Sequence, residues 1–184
     1  MSSRTHTLSF DVGPNAIVGI DQSLAATGVA VLRNNTLFTI TNAPKGLKDI
    51  PRLEWFSSYF DRLFGVGVAA IGMEGYSFGS PNACYALGEL GAVVKLSAFR
   101  AGHTPVIVPP NSVKKFATGN GNAKKELVLK GVFQRFGIDT NDNNQADATA
   151  IALIVTALKF PALEISGVTK TMRDDIKKLS HGGQ

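Results

Sequence analysis

At 184 residues and 44% apolar content the chain can bury one good core, which favours one compact domain over two. No apolar run approaches the roughly 20 residues of a membrane-spanning helix, and Met1 to Pro14 is neither a secretory signal nor an Arg-rich transit peptide, so a soluble cytoplasmic protein with no membrane partner is expected. One cysteine, Cys84, excludes an internal disulfide and a thiolate zinc cluster, and the net charge of +5 is concentrated in one segment: Lys95, Arg100, Lys114, Lys115, Lys124 and Lys125 lie between Leu90 and Lys125 with no acidic residue among them. A localised basic segment is the footprint of a polyanion partner, although a solvated helix face would look the same.

Along the chain, Ala16 to Ile20 is an apolar run ending at Asp21, Gly28 to Leu32 is a second, and Thr36 to Thr41 alternates after Asn34-Asn35. Such runs, broken by Asn and Gly, predict a β-meander. Leu53, Phe56, Tyr59 or Phe60, and Leu63 recur at helical spacing across Arg52 to Phe64. Val66 to Met73 is a short apolar strand delivering Glu74, and Asn82 to Ala101 is a helix rich in small residues. Pro105 to Val108 is another strand, stopped by Pro109-Pro110. A short helix to Phe116, a Gly119 to Asn122 turn, and helices over Ala123 to Phe136 and Gln145 to Lys159 follow. The expected organisation is one domain over residues 1–165 and a polar tail over 166–184, a short helix with a frayed end. This order suits a mixed five-stranded α/β sheet, three antiparallel strands then parallel ones, with helices on its faces.

Three carboxylates stand at informative places. Asp21 breaks GIDQSLAATGVAV between two strands, Glu74 ends the strand in AAIGMEGYSFG, and Asp147 lies early in the helix of DNNQADATAIAL. Charge beside apolar strand ends costs desolvation energy unless compensated, commonly by a metal. Each alone is as well explained by a turn, a cap or the helix dipole; two strand ends and a helix start can bring all three to one sheet edge. Hard Mg²⁺ takes such oxygens, and two ions roughly 4 Å apart would serve phosphodiester hydrolysis.

Together GIDQSLAATGVAV, MEGYSFG, VPPNSVKKFATGNGNAKKELV and QADATAIALI resemble, in order, the motifs of the RuvC-type Holliday-junction resolvases, from about Ile17 to Leu158. The third motif is the most specific of the four. The resemblance implies an RNase H-like fold, a homodimer, and a nucleoid-associated enzyme of a bacterial or phage-infected cell that makes paired Mg²⁺-dependent nicks in a four-way DNA junction, with two ions per site and Mn²⁺ as a substitute. It implies that Asp21, Glu74 and Asp147 are catalytic and metal-binding, and that Lys114 and Lys125 lie beside the scissile phosphate, Lys125 in a catalytic role. The chain departs from the pattern at Asn144, where the family carries a fourth acid. Asn144 could ligate through its amide oxygen, Asp142 could substitute, or the near-isosteric exchange could mark a weakened or inactivated variant.

Lys114, Lys115, Lys124 and Lys125 flank the Gly119 to Asn122 turn, whose amides could also approach phosphates, so salt-sensitive DNA binding is expected. Tyr76 and Phe78 are candidates to stack on an unpaired base, the alternative being packing against the following helix. Three other readings compete. The first Asp-containing motif also suits an actin-like ATPase or sugar-kinase fold, but those proteins need two domains to enclose a nucleotide; the remaining two are a non-catalytic junction-binding protein and an RNase H-like nuclease acting on other branched DNA or RNA–DNA hybrids.

Overall fold

The computed structural model describes residues 2–65, 67–76 and 81–180. Six strands form one sheet: β1 (Ser2–Thr7), β2 (Ala16–Asp21), β3 (Thr27–Arg33), β4 (Thr36–Asn42), β5 (Val68–Glu74) and β6 (Val106–Val108). Their order is β1-β4-β3-β2-β5-β6. The meander β2-β3-β4 is antiparallel, whereas β5 runs parallel to β2, and β6 to β5. The helices are α1 (Asp49–Phe64), α2 (Pro81–Arg100), α3 (Pro110–Thr118), α4 (Lys125–Phe136), α5 (Asn143–Lys159) and α6 (Lys170–Lys177).

The sheet has six strands rather than the expected five. The additional β1 pairs antiparallel with β4, Ser2 opposite Thr41 and Thr7 opposite Thr36. Its sequence, SSRTHT, has no apolar alternation, because an edge strand can be held by backbone hydrogen bonds without a buried face. Arg4 further ties it to Asp139, at 3.1 Å, before α5.

Strand alternation decides which side chains face which helices. Ala16, Val18 and Ile20 of β2, with Ile71 and Met73 of β5, pack against Phe56, Phe60 and Phe64 of α1 and Leu90, Val94 and Ala98 of α2. The opposite parity, Ile17, Gly19 and Asp21 of β2 and Ala70, Gly72 and Glu74 of β5, turns toward α5. This face is unusually flat, because glycine stands where the helix crosses. A Cβ on Gly19 would meet the Ala148 carbonyl oxygen at 2.2 Å, and one on Gly28 the Asn144 carbonyl oxygen at 2.1 Å.

Close seating explains why α5 is buried continuously from Gln145 to Ala157. One side lies on the sheet; α3, α4 and α6 cover the other. A helix enclosed all round needs no amphipathic stripe, and this one is built from Ala, Ile, Leu and Val. Within the polar tail lies α6, which packs onto the core through Ile176 with Met172 and Leu179 beside it. Thr169 caps α6 by accepting from the Met172 amide, and Arg173 donates to the Pro161 and Leu163 carbonyls. Among the described residues no helix is long and apolar enough to cross a membrane.

Candidate active site

Asp21 and Glu74 end the neighbouring parallel strands β2 and β5, Ile20 lying opposite Met73 one residue earlier. Asp147 enters from the α5 side, in the second turn of a helix that Gly28 allows close to β3. Asp21 is 5% exposed and Asp147 7%, so the carboxylates converge where water solvates them poorly. Lys125, the first residue of α4, extends its ammonium into the cluster. Its Nζ lies 3.1 Å from Asn144 Oδ1, 3.5 Å from Asp147 Oδ2 and 3.9 Å from Asp21 Oδ2.

The electrostatics follow from this crowding. Burial, then the charges of Glu74 and Asp147, hold the Asp21 carboxyl well above its usual range. Burial and the Asp147 charge push Glu74 up to about 7, opposed by its hydrogen bond with Asp21 and by the charges of Lys125 and Lys114. Burial also raises Asp147, and Lys125 opposes it. Asp21 Oδ2 is buried and accepts no hydrogen bond. An oxygen-only set of crowded carboxylates with one unpartnered buried oxygen fits a hard divalent cation. Among the described residues no three His, Cys, Asp or Glu side chains form a ready-made group around one ion. A pair of carboxylates completed by water and phosphate oxygens is still an ordinary Mg²⁺ environment.

The remaining sequence candidates are distributed unevenly. Lys114 is near enough for its charge to act on Glu74 and Asp147. Lys124, preceding α4, is exposed. Lys115 is 2.7 Å from Asp175 of α6, and that contact, with Lys178, holds the Asp175 carboxyl below its usual range. The Tyr76 ring lies against α2 at Gly91, with Lys95 Nζ 5.3 Å from its centroid; Phe78 lies outside the described residues. The turn amides of Asn120 and Asn122 are committed locally, to Thr118 Oγ1 and Asn120 Oδ1, so they are not the free phosphate donors expected of this turn.

Asp142 is likewise committed. One oxygen accepts from the Asn144 and Gln145 amides as the N-cap of α5, and the other accepts from Thr41 Oγ1 at 2.7 Å. It secures the start of the helix that presents Asn144 and Asp147, and has no oxygen free to replace a missing acid. The spacing Asp142 to Gln145 was a legible cap signal. Gln22 was not singled out from sequence; buried beside Asp21, it donates to the Glu74 carbonyl at 3.1 Å and so ties the two strand ends together.

A mixed sheet whose meander and parallel strands flank one enclosed helix, with carboxylates gathered at the end of its central strands, is an RNase H-like fold with an acidic edge site. No family model matches the chain. The chain is similar to RuvC proteins along about four fifths of its length: it is 27% identical over 158 residues to the crossover junction endodeoxyribonuclease RuvC of Anaeromyxobacter dehalogenans strain 2CP-1, covering 82% of this chain and 85% of that one. The RuvC of Synechococcus sp. strain WH7803 is 28% identical, covering 74% of this chain and 95% of that protein. The structure of Thermus thermophilus RuvC superposes with a TM-score of 0.66 at 23% identity, covering 81% of this chain and 98% of that one. The same protein in complex with a Holliday junction gives a TM-score of 0.64 at 21% identity, covering 82% and 98%. The shared fold extends across nearly the whole of the RuvC chain.

Proposed function

We propose that this protein is a structure-specific endodeoxyribonuclease that resolves four-way DNA junctions by divalent-metal-dependent hydrolysis, with Mg²⁺ as the ion and Mn²⁺ as a working substitute. The observation that carries the reading is the meeting of Asp21, Glu74, Asp147 and Lys125 at one sheet edge in a chain similar to RuvC. When bound, the ion supplies positive charge for the phosphate and lowers the pKa of attacking water. Asp21 and Glu74 would hold it, with Asp147 beside them keeping the site acidic. Lys125 and Lys114 place fixed positive charge beside the scissile phosphate, where negative charge grows during attack. Lys124, exposed ahead of α4, contacts the DNA backbone. Lys115 joins it only by leaving Asp175, and Tyr76 stacks on a base only by leaving α2.

Paired cuts in a two-fold junction call for a two-fold enzyme. α2 supports a homodimer, because Tyr85, Ala92, Leu96 and Phe99 recur along one exposed face, with Tyr85 77% and Phe99 76% exposed. The proposed setting is the nucleoid in the cytoplasm of a bacterial or phage-infected cell.

An end-labelled synthetic four-way junction incubated with the protein in Mg²⁺ or EDTA tests this, beside Asp21→Asn and Asn144→Asp variants. Symmetric nicks that need Mg²⁺ and disappear in Asp21→Asn are expected. Cutting by Asn144→Asp alone would show a disabled resolvase, junction binding without any cutting a non-catalytic binder, and neither binding nor cutting would overturn the assignment. Preferential cutting of other branched DNA or RNA–DNA hybrids would reassign the substrate.

A further inference from the structure

We propose that Lys125, anchored by Asn144, takes the place of one of two metal ions, so that the site works with a single divalent cation held on its Asp21–Glu74 side. The inference rests on the nuclease reading and concerns how that site is charged.

Geometry assigns the two halves of the cluster to different cations. On the α5 side, Lys125 Nζ donates to Asn144 Oδ1 at 3.1 Å and pairs with Asp147 Oδ2 at 3.5 Å. Asn144 and Asp147 are three apart on the helix and share a face, so one ammonium serves both. On the strand side, Asp21 Oδ2 is 3.9 Å from the same nitrogen, beyond hydrogen-bonding range, and is buried without a hydrogen-bond donor. Glu74 lies beside it, on the neighbouring strand.

Charge leads to the same division. Once a bound cation has driven the carboxyls to their ionised forms, three carboxylates and one ammonium leave two negative charges, which one divalent cation neutralises. A second divalent ion would leave the protein groups of the site with an excess of positive charge, because Asn144 adds none of the negative charge a carboxylate would bring. Asp142 does not restore it, since both its oxygens are occupied in the cap and by Thr41. Lys125 is also held from behind. The turn leading to α4 is fixed by Asn120 and Thr118 bonds, and Ala123 donates to the Asn120 carbonyl. The turn thus fixes where Lys125 begins α4, and its half-exposed side chain reaches from there to Asn144 and Asp147. Asn144 is a positioning residue for that charge; its neutral amide accepts from Lys125 without adding a second acid.

Mn²⁺ titration of the purified full-length protein, counting bound ions from the loss of the free-ion electron paramagnetic resonance signal, tests this directly. Wild type is expected to bind one Mn²⁺, and Asp21→Asn to lose it. An Asn144→Asp/Lys125→Met double variant, checked for folding by circular dichroism, is expected to gain a second site at least tenfold tighter than any in wild type. A wild-type count other than one, or a folded double variant that gains nothing, overturns the inference; should the double variant not fold, the wild-type and Asp21→Asn counts decide it. Two ions in a wild type that cuts junctions would sink only the single-ion inference. No bound ion together with no cutting would sink the nuclease reading as well.

Discussion

At neutral pH the Glu74 carboxyl, pushed up to about 7, is divided between its protonated and ionised forms, whereas in the unfolded chain it is ionised above about 4.5. An acid whose pKa is raised by folding costs nothing below its unfolded value, and its full penalty is present above the folded one. The metal-free protein therefore loses stability as pH rises between about 4.5 and 7. Glu74→Gln removes that penalty. In EDTA, urea unfolding should find the variant more stable than wild type at pH 8, by on the order of 1–3 kcal/mol, with the difference closing toward pH 4.5. Excess Mg²⁺ at pH 8 should stabilise wild type more than the variant. A pH-independent difference would mean that Glu74 is not strained by burial and its acidic neighbours. Asp21, Glu74 and Asp147 were legible as residues because each interrupts an apolar pattern. Their mutual influence was not, because it depends on distances across three elements.

At the scale of elements, the site depends on how closely α5 lies on the sheet. Gly28 is where backbone meets backbone, its α-carbon facing the carbonyl of Asn144 in the first turn of the helix. Gly28→Ala has no flexible side chain to displace, so the helix start must lift. The expected result is a loss of about 1–3 kcal/mol in unfolding free energy, with a larger proportional loss of junction cleavage, because Asn144 and Asp147 move with the backbone. Gly72→Ala is the matched control: its Cβ meets Val155 Cγ2 at 2.4 Å and Ile151 Cγ2 at 2.8 Å, two turns farther along α5. It should lose stability with little change in cleavage once folded. Equal activity losses in the two variants would argue against a special role for the helix start. The strands and long helices were readable from periodicity, but β1 was not, because its polar sequence is paired through backbone alone. For α6 a short helix in a polar tail is expected, but not its docking: its short apolar face, Met172, Ile176 and Leu179, gains meaning from the core it packs against.

At the scale of the whole molecule, the proposed dimer rests on the exposed apolar face of α2 and on one acidic site among the described residues, so that two chains would serve one junction. Replacing Leu96 and Phe99 together by Glu should convert a dimer to a monomer in sedimentation velocity, leave the circular dichroism spectrum unchanged, and uncouple the two nicks so that singly nicked junctions accumulate. Neither residue is in the buried core, Leu96 being 49% and Phe99 76% exposed, so the substitution has little reason to unfold the protein. A wild type that sediments as a monomer, or a variant that remains dimeric, would remove α2 as the dimer face.

The sequence by itself determined the α/β order, the meander, the three acids and the basic segment, because apolar periodicity and residue chemistry are local properties of a chain. It also exposed the departure at Asn144. Tertiary structure alone decided what surrounds that departure. Only folding brings Asn144 beside Lys125, nineteen residues earlier in the chain, commits Asp142 to a helix cap, and turns Lys115 toward Asp175 rather than the carboxylates. A side chain's charge is set by its covalent chemistry, but the partner that uses the charge is set by which surfaces pack together.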